Sequence, residues 1–360
     1  MESNNTSVVN SHNEWDPLEE IIVGLLDGGA DLPWEIGLQA VMPKEDVESS
    51  RAFHLDRGGK SIDRHRTAPA LKELAEFIRI LEGEGVTVKR PKPLDHSESF
   101  GTPQWQSPGG NVQADPRDVL LVIGDEIIEA TMSWRSRYFE FLAYRDLIKD
   151  YFKQGARWTA APKPQLTDEL YKHDYVRGEE YVTTEFEPVF DAADVARCGR
   201  DLFVQRSHVT NLFGIEWLRR HLGDDYRLHV VEFEDDRAIH IDATFVPLCP
   251  GKILVNPDRP LKAVPDVLKN SNWELLTAPR STLPESYPLY RSFRWLSMNM
   301  LSLDEKRIIV EKSEEPLINA LKDWGFEPIP CAFRNNYRFG GSFHCATADI
   351  RRTGTLQSYF

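Results

Sequence analysis

DLFVQRS at residues 201–207, followed shortly by IEWLRRHLGDDYRLHVVEF at residues 215–233, contains the unit from which the rest of the chain is built. Leu202, Phe203 and Val204 read as a strand, because consecutive β-favouring apolar residues suit a buried pleated surface. Ile215, Leu218 and Leu222 then recur at helical spacing, and Gly223 supplies a stop. LHVVEF closes the unit as a second short strand.

The same order recurs along the chain. Strand signals lie at EEIIVG (19–24), DVLLVIG (118–124), KILVNP (252–257) and KRIIVEK (306–312). Each is followed by an amphipathic stretch, a break and a further short strand: LAEFIRILEGEGVTVKRP, DLIKDYFKQGARWTAAP, PDVLKNSNWELLTAP and INALKDWGFEPIPCAF. Five strand–helix–strand units favour a closed ring of modules, and closure removes exposed sheet edges. A doubly wound α/β sheet also alternates strand and helix, and it stands as the competing architecture. The last three units begin about 50 to 55 residues apart, whereas insertions around 27–66, 92–117 and 163–190 stretch the first two. Insertions of that length in a compact domain are commonly functional loops or lids.

Composition narrows the function. The 360 residues carry a net charge of −14, which argues against a nucleic-acid surface or a polybasic membrane contact and favours a cationic small substrate. Cys198, Cys249, Cys331 and Cys345 are widely spaced, with neither a CxxC pair nor a Cys/His ligand spacing. No disulfide framework and no metal site is expected, and a reducing compartment fits. The polar start MESNNTSVVNSHNEWDP has no apolar leader, and no apolar run reaches membrane-spanning length. The expected organisation is a cytoplasmic protein with a disordered tail over residues 1–12 and a single α/β domain over 13–360.

Several polar residues flank the strands. In IHIDATF, His240 and Asp242 stand two apart, so on a strand both side chains would share a face. They read either as a pocket-facing pair or as a surface pair on an edge strand. Asp191, in FDAAD, stands ahead of a repeat strand, where it orients an imidazole or caps a turn. Asp118 and Arg259 lie at strand ends, where α/β architectures collect functional residues, and either also suits a structural ion pair. GGSFHCATADIRR, residues 340–352, puts Cys345 behind His344 and a Gly-Gly pair. That thiol is a buried core residue or a loop-borne nucleophile whose pKa a nearby imidazolium or bound guanidinium would lower. No glycine-rich phosphate loop, GxSxG elbow or metal spacing is present, so cofactor-free Cys–His–Asp chemistry is the surviving enzyme class.

GGSFHCATADIRRTGTLQSY, together with EFEPVFDAAD, IHIDATF, NPDRP and WLSMN, closely resembles the glycine amidinotransferase family, which includes arginine:glycine and inosamine-phosphate amidinotransferases. The likeness runs from HNEWDPLEEIIVG to the C-terminus, with further echoes in SWRSRYFEFLAYRDLIKDYF and APKPQLTDELY. The resemblance implies a five-bladed, pseudo-symmetric α/β propeller of ββαβ modules, the pentein-like fold, in agreement with the five repeats. It implies Cys345 as nucleophile, His240 and Asp191 as the acid–base pair, and Asp118 and Asp242 as the carboxylates around a guanidinium. Arg259 matches the arginine that grips the donor's α-carboxylate, and Ser292 matches a donor-binding serine; where the family often has a second serine, this chain has Phe293.

The implied reaction moves the amidino group of L-arginine through an amidino-cysteine to an acceptor amine, by a ping-pong cycle without cofactor. L-arginine and the amine are the expected partners, with no nucleic acid and no membrane, and a homodimer is the expected assembly. An arginine deiminase-like hydrolase and a non-catalytic propeller are the alternatives. In DDRAIHID, Arg237 and Ile239 stand where the glycine-using enzymes carry asparagine and methionine. Arg237 thereby suggests an acceptor longer than glycine bearing an acidic group, and it equally suits a solvent-facing side chain beside Asp235 and Asp236.

Overall fold

The computed structural model describes residues 7–284, 287 and 294–360. Ser292 and Phe293 lie outside the described residues.

Five three-stranded sheets of identical design follow one another along the chain. In the unit that opened the sequence reading, Asp201–Gln205 is central, antiparallel to Val195–Cys198 and parallel to Arg227–Val231. The parallel return runs through the helix Leu212–Leu222, as a parallel connection requires. Asn211 caps that helix by accepting from the Gly214 amide (2.8 Å), and Gly223 ends it at φ 65°. The same mixed pattern holds Lys252–Val255 between Phe245–Cys249 and Glu274–Thr277, and Arg307–Glu311 between Leu301–Ser302 and Glu327–Cys331.

Three units depart from the sequence reading. DVLLVIG supplies an outer antiparallel strand, Leu120–Ile123, and the central strand is the following Glu126–Glu129. In the first unit, Leu18–Val23 pairs with Thr347–Arg352, so the two ends of the chain complete one sheet. The helix expected after KILVNP is a single turn, Asp266–Lys269.

The N-terminal boundary also differs. The expected tail of residues 1–12 does not extend through its later part: Val9 is fully buried, and the Asn10 amide donates to the Ile350 carbonyl (2.9 Å). Ser11 bridges to Gly124. Burial of Val9 and sheet pairing together order this segment despite its polar composition.

A core of Ile21, Leu74, Phe77, Ile309, Phe333 and Phe343 joins the first and last units. Phe343 stacks obliquely on Phe333 at 4.5 Å between centroids, which anchors the chain two residues before Cys345. Among the described residues, no helix is long and apolar enough to cross a membrane.

Candidate active site

Several of the residues singled out from the sequence arrive at one cavity by short irregular segments. His240 and Asp242 do not lie on a strand: His240 stands at φ 51° and Ile241–Ala243 forms a 3-10 turn before the strand Phe245–Cys249. The turn, rather than strand alternation, brings both side chains inward. A positive φ at a non-glycine residue is a strained conformation that surrounding structure must hold in place. Asp191 precedes another 3-10 turn, Ala192–Asp194, without capping it, and Asp118 belongs to the short helix Pro116–Val119.

Cys345, His240, Asp118, Asp242 and Ile239 line a cavity of about 90 Å3, with Asp115, Arg137 and Asn111 beside them. Arg259 and Arg237 are not brought to it. Arg259 is buried against Asp235 (3.2 Å), and Arg237 has its Nε 3.8 Å from Asp236.

Leu32, Leu38 and Val41 contribute an apolar wall from the 27–66 insertion, and Asn111 and Asp115 come from the 92–117 insertion. The 163–190 insertion contributes no lining. Its Arg177 instead donates to the carbonyls of Gln39 (2.8 Å) and Met42 (3.0 Å), fastening the first insertion from behind.

The imidazole is held between carboxylates. His240 Nε2 lies 3.1 Å from Asp191 Oδ2, and Nδ1 lies 3.5 Å from Asp118 Oδ1. Burial opposes a charged ring, but Asp118, Asp191 and Asp194 outweigh it and raise His240 to about 10. Arg137, absent from the sequence reading, donates to Asp118 Oδ2 (2.9 Å), approaches Asp191 Oδ2 (3.8 Å) and forks onto Glu140. A buried guanidinium between two buried carboxylates offsets their mutual repulsion.

The nucleophile candidate faces acid. Cys345 Sγ donates to Asp242 Oδ2 (3.3 Å). Burial first, and then the carboxylates of Asp242, Asp118 and Asp115, push the thiol well above its ordinary value. His344 does not touch the cavity. Its Nδ1 pairs with Asp242 Oδ2 (2.7 Å) and its Nε2 with Glu14 Oε2 (3.2 Å). Although burial works against ionisation, the hydrogen bond and charge of His344 hold Asp242 below the usual carboxylate range.

The two glycines have a steric reason. A methyl on Gly341 would stand 2.3 Å from Cys345 Cβ and 2.6 Å from Asp115 Oδ1, which no side chain tolerates. Asn299, another residue the sequence reading left without a role, is fully buried and accepts the amides of Ser342 (3.1 Å) and Cys345 (3.0 Å) through Oδ1. Its Nδ2 donates to the Asp242 carbonyl (3.3 Å), so one side chain ties the Cys345 loop to the Asp242 turn. Asn299 ends WLSMN and Arg137 lies in SWRSRYFEFLAY, so the signal for both was present in stretches already noted.

A cysteine, a carboxylate-held histidine and inward carboxylates suit covalent attack on a cationic carbon. Over 359 residues the chain is 52% identical to the L-arginine:L-lysine amidinotransferase of Pseudomonas savastanoi pv. phaseolicola, covering 98% of this chain and 97% of that one. The chain belongs to the amidinotransferase family.

This amidinotransferase is also 48% identical to the mitochondrial glycine amidinotransferase of Gallus gallus, over 97% of its own length and 84% of the relative's. Among solved structures, SxtG, an amidinotransferase of the saxitoxin biosynthetic pathway from Microseira wollei, superposes with a TM-score of 0.95 at 53% identity, covering 98% of this chain and all of that one. No family model matches the amidinotransferase sequence.

Proposed function

We propose that this amidinotransferase takes the amidino group of L-arginine onto Cys345, releases L-ornithine, and passes the group to an acceptor amine. Asp118 Oδ1 and Asp242 Oδ1 carry this reading: both are buried and lack a hydrogen-bond partner among the described residues. Buried carboxylate oxygens without donors are poised for the N–H groups of a guanidinium. Both carboxylates, the thiol and His240 line one cavity, which fits donor and acceptor using it in turn.

Held planar by these carboxylates, the guanidinium carbon is open to the Cys345 thiolate from one face. The S–C bond forms, the C–Nδ bond to ornithine breaks, and the departing nitrogen takes a proton from His240. With Nε2 engaged by Asp191, Nδ1 is the ring nitrogen left to exchange it. The acceptor amine then attacks the amidino-cysteine, His240 accepts its proton, and the thiolate returns. The apolar wall of Leu32, Leu38 and Val41 keeps water from the intermediate, whose hydrolysis would waste the group.

In this reading the five modules close as a propeller ring around the cavity, and the protein works as a cytoplasmic homodimer without cofactor. Arg259 and Ser292 are assigned to the donor's amino-acid end, which requires Arg259 to share its charge between Asp235 and the substrate. Ile239 in the cavity wall and Arg237, two residues before it in the chain, are assigned to the acceptor. An acceptor longer than glycine is favoured, as the name of the lysine-using relative also suggests. Arg237→Ala then raises the acceptor's KM and leaves the arginine half-reaction unchanged; glycine as best acceptor, with neither half altered, removes Arg237 from specificity.

The deciding experiment is intact-mass analysis after quenching with arginine alone, then with arginine and a panel of amines. A mass gain of one amidino group at Cys345, absent in Cys345→Ala, followed by ornithine and a new guanidino compound, is the expected result. Citrulline instead of ornithine means a hydrolase.

A further inference from the structure

Asp115 stands at the N-terminus of the Pro116–Val119 helix, where an aspartate ordinarily caps the turn, yet its side chain makes no capping hydrogen bond. It is 5% exposed and lines the central cavity. Among the described residues, it neither accepts a side-chain hydrogen bond nor forms an ion pair. The other carboxylates of the cavity have protein partners: Asp118 has Arg137, and Asp242 has His344 and the thiol.

Its position is on the nucleophile's side. A methyl on Gly341 would overlap both the Asp115 carboxyl and the Cys345 side chain, so both groups pack against that glycine. A guanidinium presents five N–H donors, and burial requires each to find an acceptor. The orphaned oxygens of Asp118 and Asp242 supply two acceptor atoms, and Asp115 supplies two more. Burial first, and then the charge of Asp118, push the Asp115 carboxyl well above its ordinary range, so an arriving cation is what favours its ionisation.

We infer that Asp115 is a third carboxyl contacting the substrate, hydrogen-bonding the amidinium nitrogens of arginine and of the amidino group after its transfer to Cys345. This inference rests on arginine being the donor. It assigns the unused capping position and the Gly340–Gly341 spacing to one purpose: a carboxyl held against the nucleophile, at a cost in fold stability.

The test separates binding from chemistry. Arginine affinity is measured by calorimetry on Cys345→Ala and on Cys345→Ala/Asp115→Asn, with thermal midpoints for both. Loss of one charge-assisted interaction weakens arginine binding roughly tenfold to a hundredfold. The midpoint of the double variant stays level or rises, because folding no longer has to take an ionisable carboxyl out of water and suppress its charge. Asp115→Glu, which keeps the charge at a longer reach, recovers part of the affinity. Equal affinities in Cys345→Ala and Cys345→Ala/Asp115→Asn overturn the role of Asp115, as does a lowered midpoint accompanying the loss, which marks a structural residue. Failure of Cys345→Ala itself to bind arginine overturns the donor assignment and this inference with it.

Discussion

The Cys345 thiol donates its hydrogen bond to Asp242, the carboxylate that faces the same cavity, across 3.3 Å. In the absence of a cation, negative neighbours keep the sulfur protonated, and the group that ionises it must be positively charged.

Removing one of those negative neighbours lowers the thiol's pKa. Asp242→Asn is therefore expected to make Cys345 alkylate faster with iodoacetamide at about pH 7.5, while abolishing amidino transfer. Cys198 and Cys331 are buried in the core, which leaves Cys249 as the internal reference for site-resolved mass spectrometry. Slower alkylation in the variant would show that Asp242 stabilises the thiolate rather than the thiol.

Asp191 orients His240 and helps raise it to about 10. Asp191→Asn should lower the transfer rate by roughly 10² to 10⁴, the range of comparable triads, with far smaller change in arginine binding. In the proposed reaction His240 serves as the acid of the first half, so the rate should fall as pH rises through its pKa. The variant's alkaline limb should move to lower pH in a stopped-time adduct assay. An unchanged limb with weakened arginine binding would make Asp191 a substrate ligand.

Asn299→Ala orphans two buried amides, those of Ser342 and Cys345, and each unsatisfied group costs about 1–3 kcal/mol. Denaturant melts should show that loss, and amidino-adduct formation should slow because the Cys345 loop is no longer tied to the Asp242 turn. Asn299→Asp, which keeps the acceptor oxygens, should restore more of the stability than of the rate. Full activity in Asn299→Ala would mean that the core contacts of Phe343 suffice to place Cys345.

Glu14 and Asp349 are buried with Arg197 between them (2.7 Å to each). Burial opposes their ionisation, but Arg197 and His344 hold Glu14, and Arg117, Arg352 and Arg197 hold Asp349, well below the ordinary values of 4.5 and 3.8. A depressed carboxylate stabilises the fold fully above its unfolded pKa, and this contribution is lost as pH falls through the folded value. Through this network unfolding free energy should drop progressively below about pH 4.5. In Glu14→Gln it should be lower at neutral pH and fall less steeply with acid. A wild-type curve that stays flat into strong acid would show that this network contributes nothing net.

Much of the molecule was legible in the chain because its signals are local. Apolar runs and helical spacings repeat five times, and each unit closes on a parallel strand through its own helix, so the α/β repeat follows from short-range order alone. Cys345, His240, Asp118 and Asp242 stand in motifs visible in the chain and line one cavity, and Asp191, in a further motif, holds His240. What the chain could not reveal is non-local. The antiparallel partner of Leu18–Val23 lies at the other end of the sequence, which also draws Val9 into the core. His240 and Asp242 turn inward through a 3-10 turn, although their spacing alone suggested a strand. Arg137, Asn299 and Asp115 acquire their roles only where distant segments meet, because screening a buried charge, satisfying a buried amide and facing a cavity are properties of neighbours in space.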